Sequence, residues 1–229
     1  MPTTKAVAKQ SLFRSLLQAS LLVFLAGLGY AVMSLPSEAP GLGERVVKNL
    51  ETSGVSNQVT AVLLNFRGYD TLLEMAVLLL ALLGVWSLGG VPEVRDSSPS
   101  PVLDKLTRLL IPVLVLVAGY LLWVGSHAPG GAFQAGSVLG AAGVLLLLSG
   151  WRLSDRFAGL PLRVLLVTGL SVFVVVGMVL LLTDRLFLEF PTPLAGMLIL
   201  LIETAATLSI GITLAALFLG DRPVAGSDK

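Results

Sequence analysis

The sequence of 229 residues predicts an all-α, polytopic membrane protein with about six transmembrane helices and both termini in the cytoplasm. Composition sets the class: 55% of the residues are hydrophobic and 13% charged, and the mean hydropathy of +0.91 lies outside the range of soluble domains. Six apolar runs set the number of spans, because a helix rising about 1.5 Å per residue needs roughly 20 such residues to cross the hydrocarbon. The basic residues set the orientation, because they gather in alternate connections.

The first run, 12–34, follows Lys5, Lys9 and Arg14 as in a signal peptide, but it is longer than a signal-peptide core and reads as a retained span. Pro36 and Pro40 end it and open the longest hydrophilic stretch, up to Gln58. This stretch carries Glu38, Glu44, Arg45, Lys48 and Glu51 and reads as an ordered external loop. The second run, 70–89, begins at Asp70, a residue type that caps helix N-termini. Beyond it VPEVRDSSPSPVLDK, rich in Pro and Ser, is the one break in composition. Runs at 106–125, 132–150, 161–183 and 193–219 follow, each read as long enough to span. The chain thus divides into a two-helix unit (1–89), a cytoplasmic linker (90–105) and a four-helix unit (106–229).

With six spans, one side collects the N-terminus, the linker, the 151–163 turn and the C-terminus, and with them eleven of the fifteen basic residues. Arg45, Lys48, Arg67 and Arg185 fall on the other side. The positive-inside rule then places both ends in the cytoplasm and the 126–131 turn outside. No internal repeat suggests the inverted symmetry of a self-contained secondary transporter.

Several function classes drop out. A formal net charge of +1 gives no electrostatic footprint for nucleic acid. The lack of Cys excludes disulfides, thiolate catalysis and Cys-ligated metal, and a single histidine, His127, cannot build an imidazole site, so neither metal nor cofactor is expected. There is no phosphate loop, HExxH or GxSxG, and Ser126 beside His127 lacks the geometry and the third member of a triad. An enzyme is not expected.

Charges inside apolar runs are costly, by about 2.5 to 3.5 kcal/mol on insertion scales, so each calls for a reason. Glu203, ten residues after Pro193, falls near the bilayer midplane, with Thr207 one turn on and placed to hydrogen-bond it. It reads either as a carboxylate relaying protons or cations, or as one holding a neighbouring subunit. Glu74 lies about one turn inside the second span, where the positive helix end favours an acid. Arg67, just outside, is placed to pair with Asp70 or Glu74. His127 suits proton exchange at a pore mouth, since imidazole is the side chain that titrates near neutrality, but a lone interfacial histidine is more often simply solvated. Pro129, Gly130 and Gly131 fit a tight turn between membrane helices, and Gly136, Gly140 and Gly143 continue a small-residue face.

Two stretches resemble known families. GVSNQVTAVLLNFRGYDTLLEMAVLL is similar to the end of the large MrpA protein of Mrp antiporters and to the MbhE protein of membrane-bound hydrogenases. Asn57, Val59, Thr60, Ala61, Leu63, Asn65, Phe66, Arg67, Gly68, Tyr69, Asp70, Thr71, Leu72 and Glu74 match that pattern, and Leu73 replaces its usual glycine. From Asp104 the chain resembles the MnhB/MrpB family, whose PGGGFQGG hallmark stands here as Pro129, Gly130, Gly131, Ala132, Phe133, Gln134, Ala135 and Gly136. Ala132 and Ala135 replace two glycines, and Ser126 takes the place of the family histidine, which is displaced by one to His127. Glu203 falls where that family tends to carry an acid.

The resemblance implies a natural fusion of the two modules in an accessory subunit of a multi-subunit Na+/H+ antiporter of the inner (plasma) membrane, related to the complex I membrane arm. Its implied partners are the large proton-channel subunits, which hold the lysine relays, and small membrane subunits; its implied substrates are Na+ and H+. The residues agree with an accessory role, since Lys5, Lys9, Lys48, Lys105 and Lys229 all lie in loops or at ends. The alternatives are an ion-translocating subunit of a hydrogenase-type redox complex, or a sealing subunit that moves no ions.

Overall fold

A computed structural model describes residues 4–35, 41–88, 100–151, 157 and 159–220, which fall into two units divided after Gly43. Most of the linker (90–99), the prolines 36 and 40 with Glu38, and Arg95, Arg152, Arg156, Arg222 and Lys229 lie outside the described residues.

The first unit holds α1 (Thr4–Met33), whose apolar stretch runs Phe13–Met33, as the sequence predicts. The second unit opens with α2 (Gly43–Asn49) and a 3-10 turn (Leu50–Ser53). Then come α3 (Gln58–Thr60), which widens into a π-turn over Ala61–Phe66, and α4 (Gly68–Ser87). The remaining helices are α5 (Pro101–Val124), α6 (Ala132–Leu148), α7 (Leu160–Leu181) and α8 (Thr192–Leu219). Among the described residues α1, α4, α5, α7 and α8 are long and apolar enough to cross a membrane.

Helix α8 packs on α6 and α7 and also meets α4 and α5. Close approach to α6 depends on small residues, as the sequence predicts. A Cβ added at Gly136 would lie 2.8 Å from the Ile210 Cβ, one at Gly140 2.9 Å from the Leu214 Cβ, and one at Gly143 2.8 Å from the Ala215 Cβ. The register advances in the same direction on both helices, so α6 and α8 run parallel. Helix α7 runs antiparallel to them, with Ser209 donating to the Leu166 carbonyl at 2.5 Å and Gly169 against Ala206.

Three expectations change. First, α6 is only 17 residues long, or about 25 Å, short of the roughly 30 Å hydrocarbon core. Its start lies beside Glu203, eleven residues into α8, so the preceding turn is sunk about 16 Å below the start of α8. Second, the stretch over that turn is built rather than looped. The 3-10 turn packs on the start of α8, with Gly54 (φ 78) against Ala195 and Gly196 and Ser53 fully buried. Third, Asp70 is not a cap. The helical path begins at Asn57, whose side chain accepts from the Val59 N–H at 2.9 Å. Arg67 (φ −130, ψ 35) is the boundary before α4, and Asp70 sits in the first turn, paired with Arg67.

Candidate functional site

The π-turn frees backbone groups that neighbouring residues then satisfy. The Arg67 N–H reaches back five residues to the Val62 carbonyl at 2.8 Å, and the Thr71 hydroxyl donates to the Leu63 carbonyl at 2.5 Å. Such widened turns cluster at functional sites, and a broken helix at membrane depth is tolerated where it lines a cavity.

Helix α5 ends beside this break, and its last carbonyls lack intrahelical partners. The Ser126 carbonyl accepts from the backbone N–H groups of Ser56 and Asn57, both at 3.0 Å. The Asn57 amide donates to the carbonyls of Gly125 (3.1 Å) and Ala128 (2.6 Å), and the Thr60 hydroxyl donates to Gly125 at 2.5 Å. The turn closes with the Gly131 N–H on the Leu121 carbonyl at 2.9 Å. The N-x-V-T stretch and the PGG turn, separate in sequence, therefore meet.

Gly131 precedes α6 with φ 106, a left-handed conformation that favours glycine, and no side chain of its own caps the helix. Glu203 takes that place from α8. A Cβ on Gly131 would lie 2.6 Å from Glu203 Oε1, and the Ala132 backbone supplies the carboxylate with a hydrogen bond. An acid at the positive end of a helix is favourably placed. Glu203 is 3% exposed and Thr207 equally buried, but the Thr207 hydroxyl donates to the Glu203 backbone carbonyl at 2.7 Å instead of the carboxylate. Threonine in a helix finds the carbonyl one turn back within easy reach, and that local bond wins.

A cavity of about 220 Å³ brings Glu203 and Glu74 together, with Thr60, Thr71 and Gln134 as further polar lining and Met75, Phe173 and Ile202 as apolar walls. Glu74 and Gln134 are exposed, so the cavity opens on the face that carries them. Arg67 and Asp70 do not line it; they pair with each other on the exposed start of α4. His127 is exposed and faces a separate open groove of about 660 Å³ with Glu51 and Trp123, its Nδ1 2.6 Å from the Ser126 hydroxyl. Pro129 is exposed, while Phe133 lines the cavity and Gly136 packs on α8. Among the described residues no group of three His, Asp or Glu side chains is placed to hold a metal. Thr60, Thr71 and Asn57 were not singled out from the sequence as site residues. Their signal was their place in the N-x-V-T and Y-D-T pattern.

Residues 102–219, just over half of the chain, match the family described as "Domain related to MnhB subunit of Na+/H+ antiporter". The chain belongs to this MnhB-related family. Residues 15–98 match a second family, MbhE of the MBH complex. The MnhB-related chain is 27% identical over 169 residues to a Rhizobium meliloti protein described as a probable K(+)/H(+) antiporter A/B subunit, covering 59% of this chain and 17% of that protein. It is 29% identical over 117 residues to an uncharacterized protein of Methanocaldococcus jannaschii, covering 42% and 44%. It therefore spans less than half the length of these relatives. In three dimensions it is similar to a chain of the membrane-bound sulfane sulfur reductase, an archaeal respiratory membrane complex, with a TM-score of 0.66, 26% identity and coverage of 91% and 97%. It also shares the fold of a chain in the Mrp complex from Dietzia sp. DQ12-45-1b, with a TM-score of 0.63, 24% identity and coverage of 94% and 27%. The MnhB-related chain is thus an all-α, multi-pass membrane protein with the fold of membrane-complex subunits.

Proposed function

We propose that this MnhB-related chain is an accessory subunit of a multi-subunit monovalent cation (Na+)/proton antiporter of the plasma membrane, and that its two-carboxylate cavity forms part of the cation and proton path. The observation that carries this reading is the meeting of Glu203 and Glu74 in one cavity, with Thr60, Thr71 and Gln134 beside them, inside otherwise apolar helices. Intramembrane carboxylates facing a cavity mark ion pathways, and the cavity has room for several waters at roughly 30 Å³ each. The chain acts as a transporter component beside larger subunits that complete the path. Its opening at Glu74 and Gln134 is the side on which those neighbours continue it.

The test is cation-dependent proton exchange in vesicles containing the complete complex with Glu203→Gln, which keeps the shape and removes the titratable group. Loss of exchange with normal assembly is expected; normal exchange with normal assembly rejects the path. A second reading is favoured by the Glu203 contact with the start of α6: the acid fixes assembly. On that reading Glu203→Gln depletes the complex on native gels, and the complex that remains exchanges at the normal rate. Likeness to the sulfane sulfur reductase chain also supports a redox-driven setting, which co-purifying iron–sulfur subunits would favour.

A further inference from the structure

We propose that Asn57 and Thr60 are positioning residues for Glu203: they hold the 125–128 turn, and through it the backbone cradle in which the carboxylate sits. The inference rests on the ion-path reading of Glu203. Each link is a direct contact. The Asn57 amide and the Thr60 hydroxyl share the Gly125 carbonyl, and Asn57 also binds Ala128. Gly125 lies against Gly131, close enough that a Cβ added to Gly125 would fall 2.6 Å from the Gly131 nitrogen. Gly131 in turn lies against Glu203 Oε1, and Thr60 lines the same cavity as Glu203.

The arrangement has little slack. Asn57 commits both amide protons and its Oδ1, which accepts from Val59, and it is 9% exposed; Thr60 is 4% exposed. Pro129 fixes one torsion of the short connection, and Gly130 is packed against Val124. A shift of the Gly125 carbonyl therefore moves the Gly131–Ala132 cradle. A helix cap alone would need neither the bond to Gly125 nor the bond to Ala128. These two bonds tie the segment before the π-turn to the carboxylate site, across the linker.

The test uses the complete complex in vesicles with Thr60→Val, Thr60→Ser and Asn57→Ala, each also combined with Ala128→Cys in a chain that has no other cysteine. Two quantities are read: the cation concentration giving half-maximal exchange, and the rate at which a small thiol reagent labels position 128 of this chain. Thr60→Val is expected to change the half-saturating concentration by about tenfold, the factor one lost buried hydrogen bond carries, and to speed labelling. Thr60→Ser is expected to restore both. Unchanged half-saturation in Thr60→Val, where Glu203→Gln abolishes exchange, overturns the proposal. If Asn57→Ala fails to assemble, the Thr60 pair decides, since Ser keeps the hydroxyl that bonds Gly125 and Val replaces it with a methyl. If Glu203→Gln still exchanges, the path reading falls and labelling alone decides the clamp: faster labelling in Thr60→Val supports it and an unchanged rate overturns it.

Discussion

Gly131 and Glu203 hold each other in place. The glycine adopts φ 106 so that the first turn of α6 presents its backbone to the carboxylate, and the lack of a Cβ leaves room for Oε1. Gly131→Ala is expected to cost about 1–3 kcal/mol in backbone strain before the collision with Glu203 is counted. It should lower the Tm of the purified complex and reduce exchange, whereas Gly119→Ala, where an added Cβ meets nothing within 4 Å, should leave both near wild type. A similar Tm for the two variants would argue against the cradle. Glu203 was legible in the sequence because an acid in an apolar run is conspicuous; its partner was not, because the donor is a backbone group that any residue carries. Thr207 was misassigned for the same reason, since its bond goes to its own helix. Asp70 looked like a cap, but Asn57 had already started the helical path upstream.

At the scale of elements, spacing announced the small face of α6 but not the helix it meets. Gly136, Gly140 and Gly143 recur at three- and four-residue intervals, which places them on one side of a helix, and the structure sets that side on α8. In a membrane such contacts matter because helices associate through close packing instead of water exclusion. Gly140→Val would force its branched side chain into Leu214 and is expected to destabilise the α6–α8 pair by about 1–3 kcal/mol, as overpacking does. The readout is thermal unfolding in detergent together with recovery of the complex; Gly140→Val matching the wild type in both would remove α6–α8 packing as the basis of the fold. The π-turn before α4 had no comparable signal. The polar stretch Arg67–Thr71 marks a boundary in the sequence, but not a widened turn, whose Val62 and Leu63 carbonyls are taken by the Arg67 N–H and the Thr71 hydroxyl.

At the scale of the whole chain, the order of the long helices was legible because each carries its own apolar run, while the depth of the turn before α6 was not. A turn at the membrane surface and one sunk about 16 Å below the start of α8 look the same in sequence; the difference lies in how many residues of α8 extend past it. The segment 44–57 covers the sunken turn, and the charge distribution assigns the same segment to the outer side. Six apolar runs, with eleven of the fifteen basic residues assigned to one side, predict that both ends are cytoplasmic. Because the chain has no cysteine, single substitutions report sidedness cleanly. Thr52→Cys, exposed on the 3-10 turn, is expected to react with an impermeant maleimide in intact cells, and Ser227→Cys only in inverted vesicles. Labelling of Thr52→Cys only in inverted vesicles would reverse the orientation and place the groove at His127 on the cytoplasmic side; labelling of both positions from one side would require an even number of crossings between them. The expected pattern has a direct consequence for transport, since it opens the His127 groove to the outside and leaves the Asn57 and Thr60 contacts between that groove and the carboxylate cavity.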